Sequence, residues 1–158
     1  MKRLISLGVL SLFISMAAVT LSGSQDSRAT NDIWDRFVGA WRLASLEEEG
    51  ADGKLRRADC TGLLVYTRDG HMSVQVMYRN AQAASSSAPV QYAQGGYEAS
   101  FGTYQINDAH TFTFHVEGAL VRTLIGKDLP RAFALSGKQL IVKSTKPDEH
   151  WRVAWERD

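Results

Sequence analysis

With a single cysteine, Cys60, the chain cannot form an intramolecular disulfide, so its core must hold the fold. The charged neighbours of Cys60 are Arg57 and Asp59, and no histidine stands close by in sequence. The thiol therefore reads as a small buried hydrophobe rather than a nucleophile. Charge of one sign is lacking too: 18 Lys and Arg stand against 17 Asp and Glu. That balance leaves no electrostatic footprint for nucleic acid or an anionic membrane. There is no Walker loop, no Gly-x-Ser-x-Gly elbow and no zinc-protease helix motif. His71, His110, His115 and His150 lack tight metal-ligand spacing, so no metal and no cofactor is expected. No internal repeat points to a solenoid or propeller.

Only one long apolar run is present, from Leu4 to Leu21, behind the basic pair Lys2 and Arg3. This is the layout of a secretory signal. We expect residues 1–24 to be a signal peptide cut near Ser22-Gly23-Ser24; an uncleaved membrane anchor is the alternative, because the run is long for a signal core. "LSGS" resembles a lipobox but carries Ser24 where a lipidated cysteine would stand. The expected location is periplasmic or secreted, with no membrane attachment after cleavage. Residues 25–32 read as a polar spacer and 33–158 as one domain. Removing 1–24 leaves 16 basic against 17 acidic side chains, still close to neutral.

The domain opens with "NDIWDRFVGAW", where Asn31 or Asp32 can cap a short helix or turn. From Trp41 the period becomes two. "WRLASLEEEG" puts Trp41, Leu43 and Ser45 on one face; "ADGK" turns; "LRRADCTGLLVYT" resumes, with Gly62 a bulge or bend. "HMSVQVMY" alternates strongly. After the long, small and polar stretch from Arg79 to Gly96 come "YEASFGTYQI", "TFTFHVEG", a candidate strand in "ALVRTLIG", the hairpin "RAFAL-SGK-QLIVKST", and "HWRVAWERD" with Trp151, Val153 and Trp155 on one side. Eight or nine short strands in hairpin series predict an all-β, antiparallel up-and-down barrel, which removes exposed edges. A sandwich is the alternative.

"FVGAW" resembles the Gly-x-Trp element at the start of lipocalins and other calycin barrels. Three longer stretches are similar to bacterial and fungal lipocalin-like domain proteins: "GAWRLASLEEEGADGKLRRADCTGLLVYTRDGHMSVQVMY", "FGTYQINDAHTFTFHVEGALVRTLIGKDLPRAF" and "LIVKSTKPDEHWRVAWER". The resemblance implies that Gly39 and Trp41 close the barrel floor and that an arginine from the chain end, Arg157 or Arg152, packs over the indole. It departs in "SSSAPVQYAQGGYEAS", which the family more often makes helical.

The expected function is an exported lipocalin-like protein binding a small, partly apolar molecule in the cavity. The segment 79–96 is either a lid, with Tyr92 and Tyr97 touching the ligand, or a surface loop. Tyr104, His115 and Arg122 are further ligand candidates. His115 and Glu117 share a face of "TFTFHVEG"; turned inward they are candidate catalytic acid and base for an isomerase or cyclase, turned outward they are solvated. His71 and Gln75 pose the same question. Arg122 and Arg131 could hold a carboxylate or phosphate, but surface positions at strand ends are the ordinary reading. A third reading is a filled barrel with a structural or interaction role. The oligomeric state is open.

Overall fold

The computed structural model describes residues 32–80 and 92–157. The expected signal segment, residues 25–31 of the spacer and the centre of the 79–96 segment lie outside these described residues. A short helix at residues 32–37 leads into nine strands. These are β1 (Gly39–Glu49), β2 (Leu55–Arg57), β3 (Cys60–Tyr66), β4 (His71–Tyr78), β5 (Tyr97–Ile106), β6 (Thr111–Ala119), β7 (Asp128–Ser136), β8 (Gln139–Ser144) and β9 (Trp151–Glu156).

Each strand from β3 onward pairs antiparallel with the next, and β9 returns to β1 to close the sheet. β2 and β3 share one flank of β1: Glu47 faces Arg57 near its end, while Gly39 faces Tyr66 at its start. The result is an eight-stranded closed barrel with one extra short strand. Closure leaves no long unpaired edge.

Alternation decides what enters the barrel. Met72, Val76, Phe112, Phe114 and Val116 are buried, while His71, Gln75, His115 and Glu117 between them are exposed. One irregularity shifts this parity from the reading of the sequence, and one expected irregularity does not form. A β-bulge between Leu43 and Ser45 means that Trp41 points inward and then Leu46 and Glu48 do, so the expected Trp41-Leu43-Ser45 face does not form. Gly62, expected as a bulge, keeps regular register with Val76; its missing Cβ makes room for the Gln75 carbonyl. "ALVRTLIG" is not a strand. After Ala119 the chain tightens into a 3-10 turn at Arg122–Leu124 and folds back, with Gly126 N–H donating to the Val116 carbonyl.

One end of the barrel is plugged. Phe37 and Trp41 are wholly buried, and the Trp41 indole donates to the Phe37 carbonyl at 2.8 Å. Arg157, not Arg152, lies over that indole with Cζ 4.7 Å from the ring centre, and its Nη1 donates to the Val38 carbonyl at 3.2 Å. Gly39 takes φ +133°, a backbone conformation that side chains with a Cβ rarely adopt, which lets the chain turn from helix into β1 beneath the arginine. Burying an indole of this size contributes roughly 4–6 kcal/mol as an upper figure. Above Trp41, Phe37 packs against Tyr66 and Phe133 at 4.9 and 4.8 Å, and Tyr104 stacks on Trp34 at 4.7 Å. This end is filled.

Candidate functional site

The other half of the interior is not filled. It holds a cavity with about 90 Å³ in which the centre of a water molecule can lie; a single water needs roughly 10–15 Å³ on that measure. Toward the plugged end its wall is apolar, with Leu64, Met72, Val74, Phe112, Val142 and Trp155 among the side chains that line it. Toward the open end it turns polar, through Glu48, Tyr78, Glu98, Ser100 and Arg131.

Each polar group arrives there by strand parity. On β1 the bulge carries Glu48 inward, opposite Trp151 of β9. Glu48 accepts the Tyr78 hydroxyl from the end of β4. On β5 the inward set runs Glu98, Ser100, Gly102, Tyr104 and Ile106, so the register that buries Tyr104 and Ile106 places Glu98 inside as well. On β7, Leu129, Arg131 and Phe133 share the buried face.

Arg131 is 7% exposed, and its guanidinium lies between two rings, with Cζ 5.1 Å from the centres of both Tyr92 and Trp151. Nη1 donates to the Pro130 carbonyl at 3.1 Å. Tyr92 is fixed in turn by Glu149, which accepts its hydroxyl at 3.0 Å, Ser144 Oγ at 2.8 Å and Lys146 Nζ at 2.6 Å. A carboxylate in the β8–β9 connection thus anchors the aromatic clamp on the arginine.

The electrostatics follow from enclosure. Burial, with repulsion from Glu48, raises the Glu98 carboxyl to about 7 although Arg131 opposes the shift. Glu98 is half-buried as a residue, but its carboxyl faces the enclosed cavity rather than bulk water. Burial first, then the bond to Glu48, pushes the Tyr78 phenol well above its ordinary range. Tyr66 is pushed up by its complete burial, and its hydroxyl is the one buried side-chain polar atom without a hydrogen-bond partner among the described residues. Cys60, half-buried, rises to about 11 through burial and then the Glu48 charge, which leaves it a poor nucleophile.

The residues expected from sequence divide. Tyr92 lines the cavity and is buried. Tyr97 does not: it belongs to the outward set of β5 and pairs in register with Met77. Tyr104 is below the cavity, in the plug, where its hydroxyl donates to the Thr67 carbonyl at 3.0 Å. Burial raises that phenol to about 12. Arg122 is exposed on the 3-10 turn, whose Leu124 is the residue that reaches the cavity. His115 and Glu117 lie on the outer wall, because the register that buries Phe112, Phe114 and Val116 turns them to solvent; His115 Nδ1 sits 2.7 Å from Asp128 Oδ1. They cannot act as acid and base on anything in the cavity. His71 and Gln75 are likewise outside. Arg131, given a surface position by the sequence reading, is instead buried in the cavity wall. Among the described residues no cluster of three or more His, Cys, Asp or Glu could hold a metal ion, and no helix is long and apolar enough to cross a membrane.

Sequence reading missed Glu48, Tyr78, Glu98, Ser100 and Glu149. The available signal was parity. Glu98 is an even number of residues from Tyr104 and Ile106, and Arg131 lies between Leu129 and Phe133 on their face.

Among solved structures, the chain is similar to a lipocalin-like protein from Bacteroides uniformis at 15% identity, covering 78% of this chain and 99% of that one with a TM-score of 0.47. It is also similar to an uncharacterized protein from Bacteroides eggerthii at 14% identity, 77% and 99% coverage and a TM-score of 0.46. A redesigned β-barrel matches at 12% identity, 79% and 94% coverage and a TM-score of 0.43. No curated protein matches the chain. The family model for the lipocalin-like domain matches residues 38–157, from the plug to the arginine that caps it. The chain belongs to the lipocalin-like domain family.

Proposed function

We propose that this protein is exported and binds a small, partly apolar molecule inside the barrel. The observation that carries the binding reading is the cavity itself: apolar toward the plug, polar toward the open end, and large enough for more than isolated water. An interior packed solid would have favoured a purely structural role. The aromatic plug is packed in that way, but the half above it is not. Export is supported by the basic start and apolar run of residues 1–24. Native mass spectrometry of protein purified gently from the exported fraction, compared with its denatured mass, tests both parts. A reproducible mass excess released on unfolding is expected. Absence of the protein from that fraction contradicts export. No excess, together with no saturable uptake of any small apolar probe, contradicts binding.

A further inference from the structure

The ionisable groups facing the cavity are unequal in what already satisfies them. Arg131 has a ring over each face and a carbonyl on Nη1. Glu48 accepts the Tyr78 hydroxyl. Glu98 forms no hydrogen bond and no ion pair among the described residues, and its carboxyl lines the cavity. Deeper in the same wall, the wholly buried Tyr66 hydroxyl also lacks a partner. The Tyr66 hydroxyl is sealed in the wall, whereas the half-buried Glu98 meets the cavity, so Glu98 is the unpartnered group that a molecule inside can reach.

Charge decides what that molecule is. With Glu98 ionised the cavity holds two carboxylates, Glu48 and Glu98, against the single guanidinium of Arg131. An anion entering this space meets two carboxylates whose charge outweighs the one guanidinium. A cation completes the balance. Resting on the binding reading above, we propose that the cavity selects small apolar molecules that carry one protonated amine, held by the Glu98 carboxylate. Isosteric carboxylates are discriminated against.

The groups that face Glu98 set a proton linkage. They are Glu48 from β1, Tyr78 from β4 and Arg131 from β7; β6, its other neighbour, ends level with Ser100, where Ala119 pairs with it, and brings no charged group to Glu98. Burial raises the Glu98 carboxyl to about 7, so part of it is protonated at neutral pH. A bound ammonium favours its ionised form, so binding releases a proton.

The test is calorimetric titration of hexylamine, hexanol and hexanoate into the purified protein and into Glu98→Gln. Runs at pH 7 in buffers of different ionisation enthalpy read the proton count. The amine is expected to bind about tenfold tighter than the alcohol, with release of a fraction of a proton. In Glu98→Gln the two should come within about twofold of each other. Hexanoate binding as tightly as hexylamine would overturn the proposal and leave the cavity reading standing. So would an amine preference without proton release, a measurement that does not depend on the variant folding. If none of the three binds, the cavity reading fails and this one with it.

Discussion

Replacing Glu98 with glutamine should change how the stability of this barrel depends on pH, and by an amount the structure sets. The carboxyl moves from 4.5 to about 7 on folding, chiefly through burial. The folded protein therefore binds more protons than the unfolded chain between these values. Stability must fall as pH rises through that window, and the loss is complete above about pH 7. At about 1.4 kcal/mol per pH unit, the linkage amounts to about 3 kcal/mol. Glutamine has nearly the same shape and does not titrate. Below pH 4.5 the variant and the parent should differ only by the cost of the amide; above pH 7 the variant should have gained about 3 kcal/mol relative to that baseline. Urea unfolding at intervals from pH 4.5 to 8.5, plotted as the difference between the two proteins, isolates Glu98 from every other titrating group. A difference that stays flat across pH would refute the enclosed carboxyl and the charge argument built on it.

Other perturbations separate the plug, the sheet and the outer wall. Arg157→Met removes a cation–π contact and a hydrogen bond at the plug, so it should cost about 1–2 kcal/mol in urea unfolding without altering ligand uptake. Gly102→Ala would place a Cβ 2.0 Å from the His115 carbonyl oxygen, where β5 and β6 meet at a bulge. The backbone must shift, and a loss of about 3 kcal/mol or more is expected in thermal unfolding. His115→Ala, on the exposed wall, should move stability by no more than about 0.5 kcal/mol and leave ligand uptake as it was; a large loss of uptake would mean that the outer wall takes part after all.

How much of this could be seen in the amino-acid sequence depended on whether a residue's neighbours agreed with it. Phe112, Phe114 and Val116 alternate with polar residues, so the strand and its buried face were legible, and His115 and Glu117 follow outward from the same rule. Gly39 and Trp41 stood out because "FVGAW" resembles the Gly-x-Trp element of calycin barrels and stands ahead of an ordered set of strand-like stretches. Glu48, Glu98 and Arg131 were hidden for the opposite reason. A charged residue in an alternating strand ordinarily marks the solvent side, and these three are on the core side. Glu48 had a further disguise: the bulge at Leu43/Ser45 changes parity halfway along β1, and nothing in "WRLASLEEEG" announces it. "ALVRTLIG" has strand composition, yet its backbone is drawn into a turn by the Gly126 N–H donating to the Val116 carbonyl and the Val116 N–H donating to the Lys127 carbonyl, bonds that only the folded chain supplies. Charged residues on a core face are where local patterning and the fold disagree, and such places are often functional.

The central claim is that the space above the plug is a binding site, and filling that space tests it most directly. Ser100 is small, buried and on the cavity wall, so Ser100→Phe projects a ring into the cavity without touching the plug. Uptake of hexylamine by the parent protein and by this variant would be measured side by side, with cooperative unfolding as the check that both are folded. One saturable site is expected in the parent, with at least about a tenfold loss of affinity in the folded variant. Equal affinity in the two proteins would place the molecule outside the barrel and contradict the claim.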